Sequence, residues 1–241
     1  MIQEIENKKI KLDLPSFICD SQLSKRDISP LPNQHHFATF IGIPRSGKTS
    51  LSISLLQTKK PLKLYYKTFH NIIYVCPNHS RRSLKKNPFD DLADDKIYDD
   101  LTLESLEQIY EQIQEYSEDD ENTLLYVDDC SSSLKDHEIQ KFLQMLVQNR
   151  RHLRLSVWLI SHNWNLIPLT LRKLINIIYL FKPPNKKEFL NIFDEVLFHD
   201  KKIMLEIFTH VYKNPHDFLL IDTEHMKLYR NFNLLVLKDS S

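Results

Sequence analysis

Glycine is the residue that this sequence most lacks, with only two among 241 positions. Average usage would supply about 17. The two glycines, Gly42 and Gly47, lie five residues apart. A chain that keeps glycine only there is expected to need special backbone geometry at those two positions.

Cysteine is scarce as well, and long apolar runs are missing. Cys19, Cys76 and Cys130 are far apart and form no CxxC pair, which argues against a disulfide framework and a zinc knuckle and favours a reducing compartment. No run approaches the roughly 18 apolar residues of a transmembrane helix, and the chain starts with polar residues. We therefore expect an intracellular protein with no membrane anchor.

The chain also lacks net charge, because 32 Lys and Arg balance 32 Asp and Glu. The charges are nevertheless segregated: residues 28–89 contain ten basic and no acidic side chains, residues 90–129 contain sixteen acidic side chains and one Lys, and residues 139–187 contain nine basic and no acidic side chains. Two interpretations stay open, a surface for DNA phosphates or pairing between blocks. The basic residues considered for such a surface are Arg81, Arg82, Lys85, Lys86, Lys186 and Lys187.

Both glycines belong to a GxxxxGKT pattern that follows an apolar stretch and precedes a helical pattern. This order of strand, loop and helix is typical of a phosphate-binding loop, whose N–H groups converge on phosphate oxygens. Lys48 is expected to reach the β- and γ-phosphates of ATP, and the Thr49 hydroxyl to bind Mg²⁺. The residues expected to hold the nucleotide are Gly42, Ile43, Pro44, Arg45, Ser46, Gly47, Lys48, Thr49 and Ser50.

A second motif is the apolar run 123–127, which ends in Asp128 and Asp129. A buried parallel strand delivers carboxylates at its carboxyl end in this way. Asp128 is therefore the predicted Mg²⁺ partner. Asp129 is predicted to orient or deprotonate the water that attacks the γ-phosphate.

The hydrophobic pattern predicts an α/β fold, a three-layer P-loop NTPase with a mainly parallel sheet and a C-terminal β-hairpin. We expect residues 1–33 to form an N-terminal arm or small hairpin and residues 34–241 to form the ATPase domain. Helical patterns separate or follow the strands, including a short one at 169–174. The predicted strands are 37–41, 71–76, 123–128, 156–162 and 177–181, and the hairpin pairs 218–222 with 227–230.

Together these features resemble the genome-packaging ATPases of nucleocytoplasmic large DNA viruses and related elements, in the FtsK–HerA branch of P-loop motors. The resemblance covers about residues 32–232. It rests on the two motifs, on Arg150-Arg151-His152 before the strand 156–162, on residues 167–172 and on the closing hairpin. It implies that the 156–161 strand lies between the phosphate-loop strand and the Asp128 strand.

The resemblance also implies roles for residues outside the two motifs. His162, where members usually carry Gln, would sense the γ-phosphate, with neighbouring Asn163 as the alternative. Such motors act as rings in which an arginine of one subunit reaches the γ-phosphate of the next. Arg151 is the first choice for that arginine, ahead of Arg150 and Arg172.

The implied function is ATP-driven translocation of double-stranded DNA into a preformed viral capsid. The implied partners are double-stranded DNA, capsid or portal components, and further copies of the chain. The implied location is the host cytoplasm, a viral factory or the virion. The alternatives are a P-loop switch, a small-molecule kinase and a non-enzymatic nucleotide-binding component, although a GTPase-type switch lacks its glycine because none follows Gly47.

Overall fold

The computed structural model describes residues 22–23, 26–81, 87–197 and 200–237. The described residues form one sheet of nine strands. The strands are β1 (Phe37–Ile41), β2 (Asn71–Val75), β3 (Ile97–Tyr98), β4 (Thr123–Asp128), β5 (Leu155–Ser161), β6 (Ile177–Phe181), β7 (Phe218–Asp222), β8 (Lys227–Arg230) and β9 (Asn233–Leu234).

The described part of the chain contains seven α-helices, two of which are single turns. The four longest helices carry an apolar stripe toward the sheet, as their sequence periodicity predicts. The helices are α1 (Lys48–Gln57), α2 (Asn78–Arg81), α3 (Leu103–Glu118), α4 (His137–Gln148), α5 (Leu169–Arg172), α6 (Lys186–Val196) and α7 (Lys201–Val211). None of these helices is long and apolar enough to cross a bilayer.

The strand order is β3-β2-β4-β5-β1-β6-β7-β8-β9. Neighbours from β3 to β6 pair in parallel, and β6 to β9 pair antiparallel. This confirms the predicted α/β fold with a mainly parallel sheet and a C-terminal hairpin. Strand β5 lies between β1 and β4, as the resemblance implied.

Side chains on the two sides of the sheet belong to two separate cores. Leu125 and Val127 of β4 point into one core, with residues of α3, α4, α6 and α7. Leu124 and Tyr126 point into the other, with residues of α1 and of the segment after it. Because β4 is buried on both faces, it reads as a continuous apolar run rather than as an alternating one.

The structure differs from the predicted elements at several ends. Strands β3 and β9 were not predicted, because two residues are too short to show a period. Strand β5 ends at Ser161 rather than at 162, and α5 ends at Arg172 rather than at 174. Most of the predicted arm at 1–33 lies outside the described residues, as do Cys19, Arg82, Lys85 and Lys86.

The segregated charges pair in part within the chain. Arg81 of the first basic block contacts Asp99 at 3.0 Å. Arg154 of the second contacts Asp120 at 2.6 Å. Lys186 and Lys187, in the first turn of α6, are exposed. Internal pairing therefore accounts for some of the basic side chains and leaves this pair on the surface.

Among the residues that the structure describes, eight other than glycine adopt positive φ angles, as expected of a chain that makes most of its turns without glycine. This backbone region is unfavourable for side chains, least so for Asn, Asp and His. The eight residues are Arg45, Lys67, Asp120, Asp129, Arg154, His216, Met226 and Asn231.

A buried histidine lies directly before β1. The His36 Nε2 accepts a hydrogen bond from Trp158 Nε1 at 2.9 Å. Its Nδ1 therefore carries the proton and donates to the Gln34 carbonyl at 2.8 Å. Burial lowers the pKa of His36 from 6.5 to about 3. The folded state thus keeps this ring neutral at pH values where the unfolded chain protonates it.

We expect this histidine to make the fold acid-labile. Its contribution is complete above pH 6.5 and is lost as the pH falls toward the folded pKa of about 3. Each pH unit in that window lowers the free energy of unfolding by about 1.4 kcal/mol. Urea unfolding at pH 7, 5.5 and 4.5 measures the slope, and His36→Gln should flatten it by about that amount. An equal slope in the variant would contradict the assignment.

Candidate functional site

The carboxyl ends of three central strands meet at one edge of the sheet. Ile41 of β1 is in register with Ser161 of β5, and Asp128 of β4 is in register with Ile160. The phosphate loop continues from β1, Asp129 continues from β4, and His162 continues from β5. The strand order therefore brings residues that are distant in the sequence to one place.

Both glycines are required by the geometry of the loop. A Cβ atom at Gly42 would lie 2.7 Å from the Phe181 Cβ and from the Ser46 Oγ. Gly47 has a φ angle of 108° and is the N-cap of α1. At Gly42 the neighbouring side chains leave no space for a Cβ atom, and at Gly47 the backbone is left-handed. Glycine is the residue that meets both requirements without strain.

Lys48 is 5% exposed and folds back over the loop. Its Nζ donates to the carbonyls of Gly42 at 2.6 Å and Ile43 at 3.1 Å. The same Nζ donates to the His162 Nδ1 at 3.2 Å. Burial lowers the pKa of Lys48, while the Asp128 and Asp129 carboxylates oppose that effect. The ammonium group thus lies among acceptors with which a phosphate would compete.

Thr49 and Asp128, the predicted Mg²⁺ partners, are in contact. The Thr49 Oγ1 donates to the Asp128 Oδ2 at 3.3 Å. Burial, and then the Asp129 charge, raise the pKa of Asp128 from 3.8 to about 6. A carboxylate and a hydroxyl are oxygen ligands of the kind that Mg²⁺ uses together with phosphates and water, so these two residues fit that ion.

Asp129 lies at a φ angle of 59° directly after β4. One carboxylate oxygen accepts from the Ser80 Oγ at 2.6 Å. The other lies 3.2 Å from the His162 Nε2. Because the His162 Nδ1 accepts from Lys48, the proton of the neutral ring is on Nε2, the nitrogen that lies near Asp129. Lys48, His162, Asp129 and Ser80 thus form one continuous series of polar contacts.

These side chains surround a cavity of about 400 Å³. Seven of the nine residues predicted to hold the nucleotide line it, namely those from Pro44 to Ser50. Gly42 and Ile43 do not line it and instead contribute the carbonyls that hold Lys48. Asn163 caps the short turn after β5, with its Oδ1 accepting from the Asn165 N–H at 2.8 Å.

The three candidate arginines lie away from this cavity. Arg150 and Arg151 precede β5, at the opposite edge of the sheet from the phosphate loop. The Arg150 guanidinium donates to the carbonyls of His35 and Val147. Arg172 binds Glu195 at 2.7 Å. Arg151 lies on the surface. Strand β5 spans about 20 Å at roughly 3.3 Å per residue, so Arg151 cannot reach the cavity of its own subunit.

Several residues at the site were not predicted from the sequence. Tyr74, His79 and Ser80 line the cavity, and His216 contacts the loop, with its Nδ1 2.9 Å from the Ser46 carbonyl. The first three lie at the end of β2 and in α2, where polar residues follow a predicted strand, so the sequence could have indicated their position but not their contacts. His216 has no such signal, because it lies 170 residues from Ser46.

We expect Asp128→Asn to stabilise the protein in the absence of nucleotide and Mg²⁺. The ionised carboxylate is unfavourable in the folded state, since the folded pKa is about 6 against 3.8 in the unfolded chain. Stability is therefore lost as the pH rises from 3.8 through the folded pKa of about 6, and the variant should avoid a loss of about 3 kcal/mol at pH 8. Urea unfolding in EDTA at pH 8 and pH 4 measures the difference, which should vanish at pH 4. A variant less stable at pH 8 would contradict this expectation.

No protein-family model matches the sequence, and no curated protein matches it. Solved structures share the fold at low identity. The genome packaging NTPase B204 from Sulfolobus turreted icosahedral virus 2, in complex with AMP, has 17% identity and a TM-score of 0.54, over 83% of this chain and 98% of that one. The DNA-packaging ATPase B204 from Sulfolobus turreted icosahedral virus has 15% identity and a TM-score of 0.60, over 80% and 95%.

A similar fold also occurs within a larger protein. EssC (ATPases 2 and 3) from Geobacillus thermodenitrificans has 11% identity and a TM-score of 0.54, and the match covers 86% of this chain but 41% of that one. These likenesses concern the fold, since every identity is below 20%. The chain therefore has the fold of the P-loop NTPases, with the phosphate loop, Asp128, Asp129 and His162 at one edge of the sheet.

Proposed function

We propose that this protein is an ATP-driven motor that moves double-stranded DNA into a preformed viral capsid. The observation that carries the proposal is the convergence of Lys48, Thr49, Asp128, Asp129 and His162 on one cavity. Two proteins of similar fold support it, a genome packaging NTPase and a DNA-packaging ATPase, since the match covers 98% and 95% of their chains. Another structure of the former is in complex with ATP-gammaS.

Nucleotide binding would use the phosphate loop and the start of α1. Loop N–H groups and the helix dipole favour the phosphates. Lys48 would exchange its loop carbonyl partners for phosphate oxygens. Thr49 and Asp128 would hold Mg²⁺, which supplies neutralisation of the phosphate charge when bound.

Hydrolysis would use Asp129 as the general base. Its carboxylate accepts the proton of a water as the water oxygen forms a bond to the γ-phosphorus and the bond to the ADP oxygen breaks. Ser80 and His162 each hold one carboxylate oxygen of Asp129. The base is thereby fixed in orientation, which proton transfer at a defined position requires.

His162 would sense the γ-phosphate because it connects Lys48 to Asp129. A phosphate that draws Lys48 away removes the donor to the His162 Nδ1. The contact between the His162 ring and Asp129 would then change, so that the presence of the γ-phosphate affects the general base. The contacts of His162 support this role, although members of the family that the chain resembles usually carry Gln at this place.

DNA would bind without regard to sequence, through basic side chains that contact phosphates. The exposed pair Lys186 and Lys187 is our candidate for part of that surface. We further infer that capsid or portal components are partners and that the motor acts in the host cytoplasm, in a viral factory or on the virion.

Phosphate release with Mg²⁺ and ATP, with and without linear double-stranded DNA, tests the proposal. We expect turnover that DNA stimulates and that falls as salt rises. Turnover without any response to DNA would refute translocation and favour a switch or a kinase. Nucleotide binding without turnover would instead indicate a structural component.

We expect Arg151→Ala to lose most of the DNA-stimulated activity and to recover it in mixtures. The reason is that Arg151 would act on the γ-phosphate bound to a neighbouring subunit. In a mixture, an Arg151→Ala subunit still has an intact cavity, and a neighbouring Lys48→Ala subunit supplies the arginine that this cavity needs. Each variant alone should be inactive, and an equal mixture should regain measurable turnover. Arg172→Ala is the comparison, because Glu195 already holds that guanidinium. No recovery on mixing would contradict an arginine supplied in trans.

A further inference from the structure

His216 touches the phosphate loop from outside the cavity. It lies in the connection between α7 and β7, and its Nδ1 is 2.9 Å from the Ser46 carbonyl oxygen. A Cβ atom added at Gly47 would lie 3.3 Å from the same Nδ1. The imidazole therefore packs directly on the Ser46–Gly47 peptide, although it is not among the residues that line the cavity.

The chemistry of this contact fixes its direction. A carbonyl oxygen only accepts, so the His216 Nδ1 carries the hydrogen and donates it to Ser46. The C=O and N–H of a trans peptide point in opposite directions. A Ser46 carbonyl held toward His216 therefore turns the Gly47 N–H away from His216, toward the cavity side of the loop. Gly47 is the N-cap of α1, whose first N–H groups have no partner within the helix.

The connection that carries His216 is firmly attached. The neighbouring Asp217 is 8% exposed. Its carboxylate accepts from Arg230 at 2.9 Å, from the Asn231 side chain at 3.1 Å and from the Asn214 N–H at 2.8 Å. These bonds tie the connection to the C-terminal hairpin. His216 itself has a φ angle of 66°, a backbone conformation that such surrounding contacts must maintain.

We infer that His216 is a positioning residue for phosphate binding: it holds the Ser46–Gly47 peptide so that the Gly47 N–H donates to a phosphate oxygen of the nucleotide. The inference rests on the proposed function in one respect, namely that the cavity binds a nucleotide. His216 is not a catalytic residue, since its ring stays outside the cavity. Its effect is therefore on affinity rather than on the chemical step.

Two substitutions separate the hydrogen bond from the backbone. His216→Gly removes the donor and adopts the positive φ angle without strain. His216→Asn keeps a donor, because the Asn Nδ2 is separated from Cα by the same number of bonds as the His Nδ1, and Asn also tolerates this backbone. If His216→Gly does not fold, His216→Asp takes its place, since it has the size of Asn but offers only acceptors when ionised.

Calorimetric titration with Mg²⁺ and ADP, which needs no turnover, tests the inference. We expect the Kd to rise about fivefold to tenfold in His216→Gly and to stay within about twofold of the wild type in His216→Asn. In ATP hydrolysis, KM should rise by a similar factor in His216→Gly while kcat changes by less than about twofold. The melting temperatures without nucleotide should confirm that all variants are folded.

The outcomes keep the two proposals apart. A wild type that binds no ADP overturns the nucleotide site itself, and the role of His216 with it. A wild type that binds ADP, together with a His216→Gly variant of equal affinity, overturns only the role of His216. Equal losses of affinity in His216→Gly and His216→Asn also overturn it, because the donor would then not be what matters.

Discussion

Lys48→Ala is expected to lower the rate of ATP hydrolysis at least about a hundredfold. The Lys48 ammonium is buried in the loop and lies within 3.2 Å of three acceptors. A bound triphosphate would offer stronger, charged acceptors at the same place. Removal of the ammonium leaves the developing charge of the transferring phosphoryl group without its nearest cation, so both binding and turnover should suffer.

Phosphate release by purified protein measures this loss, with Lys202→Ala as the control. Lys202 is an exposed lysine on α7, and its substitution removes the same charge away from the cavity. Circular dichroism should show both variants folded. Hydrolysis by Lys48→Ala within about threefold of the wild type would exclude this cavity as the site of turnover.

Asp129→Asn is expected to lower the rate of ATP hydrolysis about a hundredfold to a thousandfold, because it removes the general base. Asn keeps the size of the side chain and accepts the positive φ angle of position 129, but it cannot take a proton from water. The amide oxygen can still accept the hydrogen bond that Ser80 donates. ATP should therefore bind with near wild-type affinity and persist unhydrolysed.

Calorimetry with ATP and single-turnover phosphate release separate the two steps in Asp129→Asn. Asp129→Ala is the matched comparison, because it removes the base as well but also places an unfavourable side chain at the left-handed backbone, and its melting temperature should be lower. Weak ATP binding together with an undiminished single-turnover rate in Asp129→Asn would show that Asp129 binds substrate rather than acting as the base.

The sequence predicts the parts of the site that depend on local pattern. The loop from Gly42 to Thr49 and the carboxylates at the end of β4 are each contained in one strand and the residues after it. The residue types and their spacing in each motif follow from binding phosphate or Mg²⁺ with residues that are close in the sequence. The position of β5 between β1 and β4 came from the resemblance instead, since no local pattern states which strands are neighbours.

The contacts of Ser80 and His216 lie beyond the reach of local pattern. Ser80 reaches Asp129 across 49 residues, and His216 reaches Ser46 across 170. Each depends on the exact path of a connection between secondary structure elements, which the packing of the whole sheet decides. The strand β3 was missed for a related reason, because its two residues pair with β2 through backbone groups that carry no sequence signal.

Three of the eight positive φ angles, at Arg45, Asp129 and His216, are grouped around the phosphate loop. Each is unfavourable by about 1 kcal/mol and persists only while neighbouring contacts maintain it. The phosphate loop and the residues around it therefore have a lower local stability than the sheet that carries them. As denaturant is raised, enzymatic inactivation will precede the loss of secondary structure, and a bound nucleotide will bring the two transitions together.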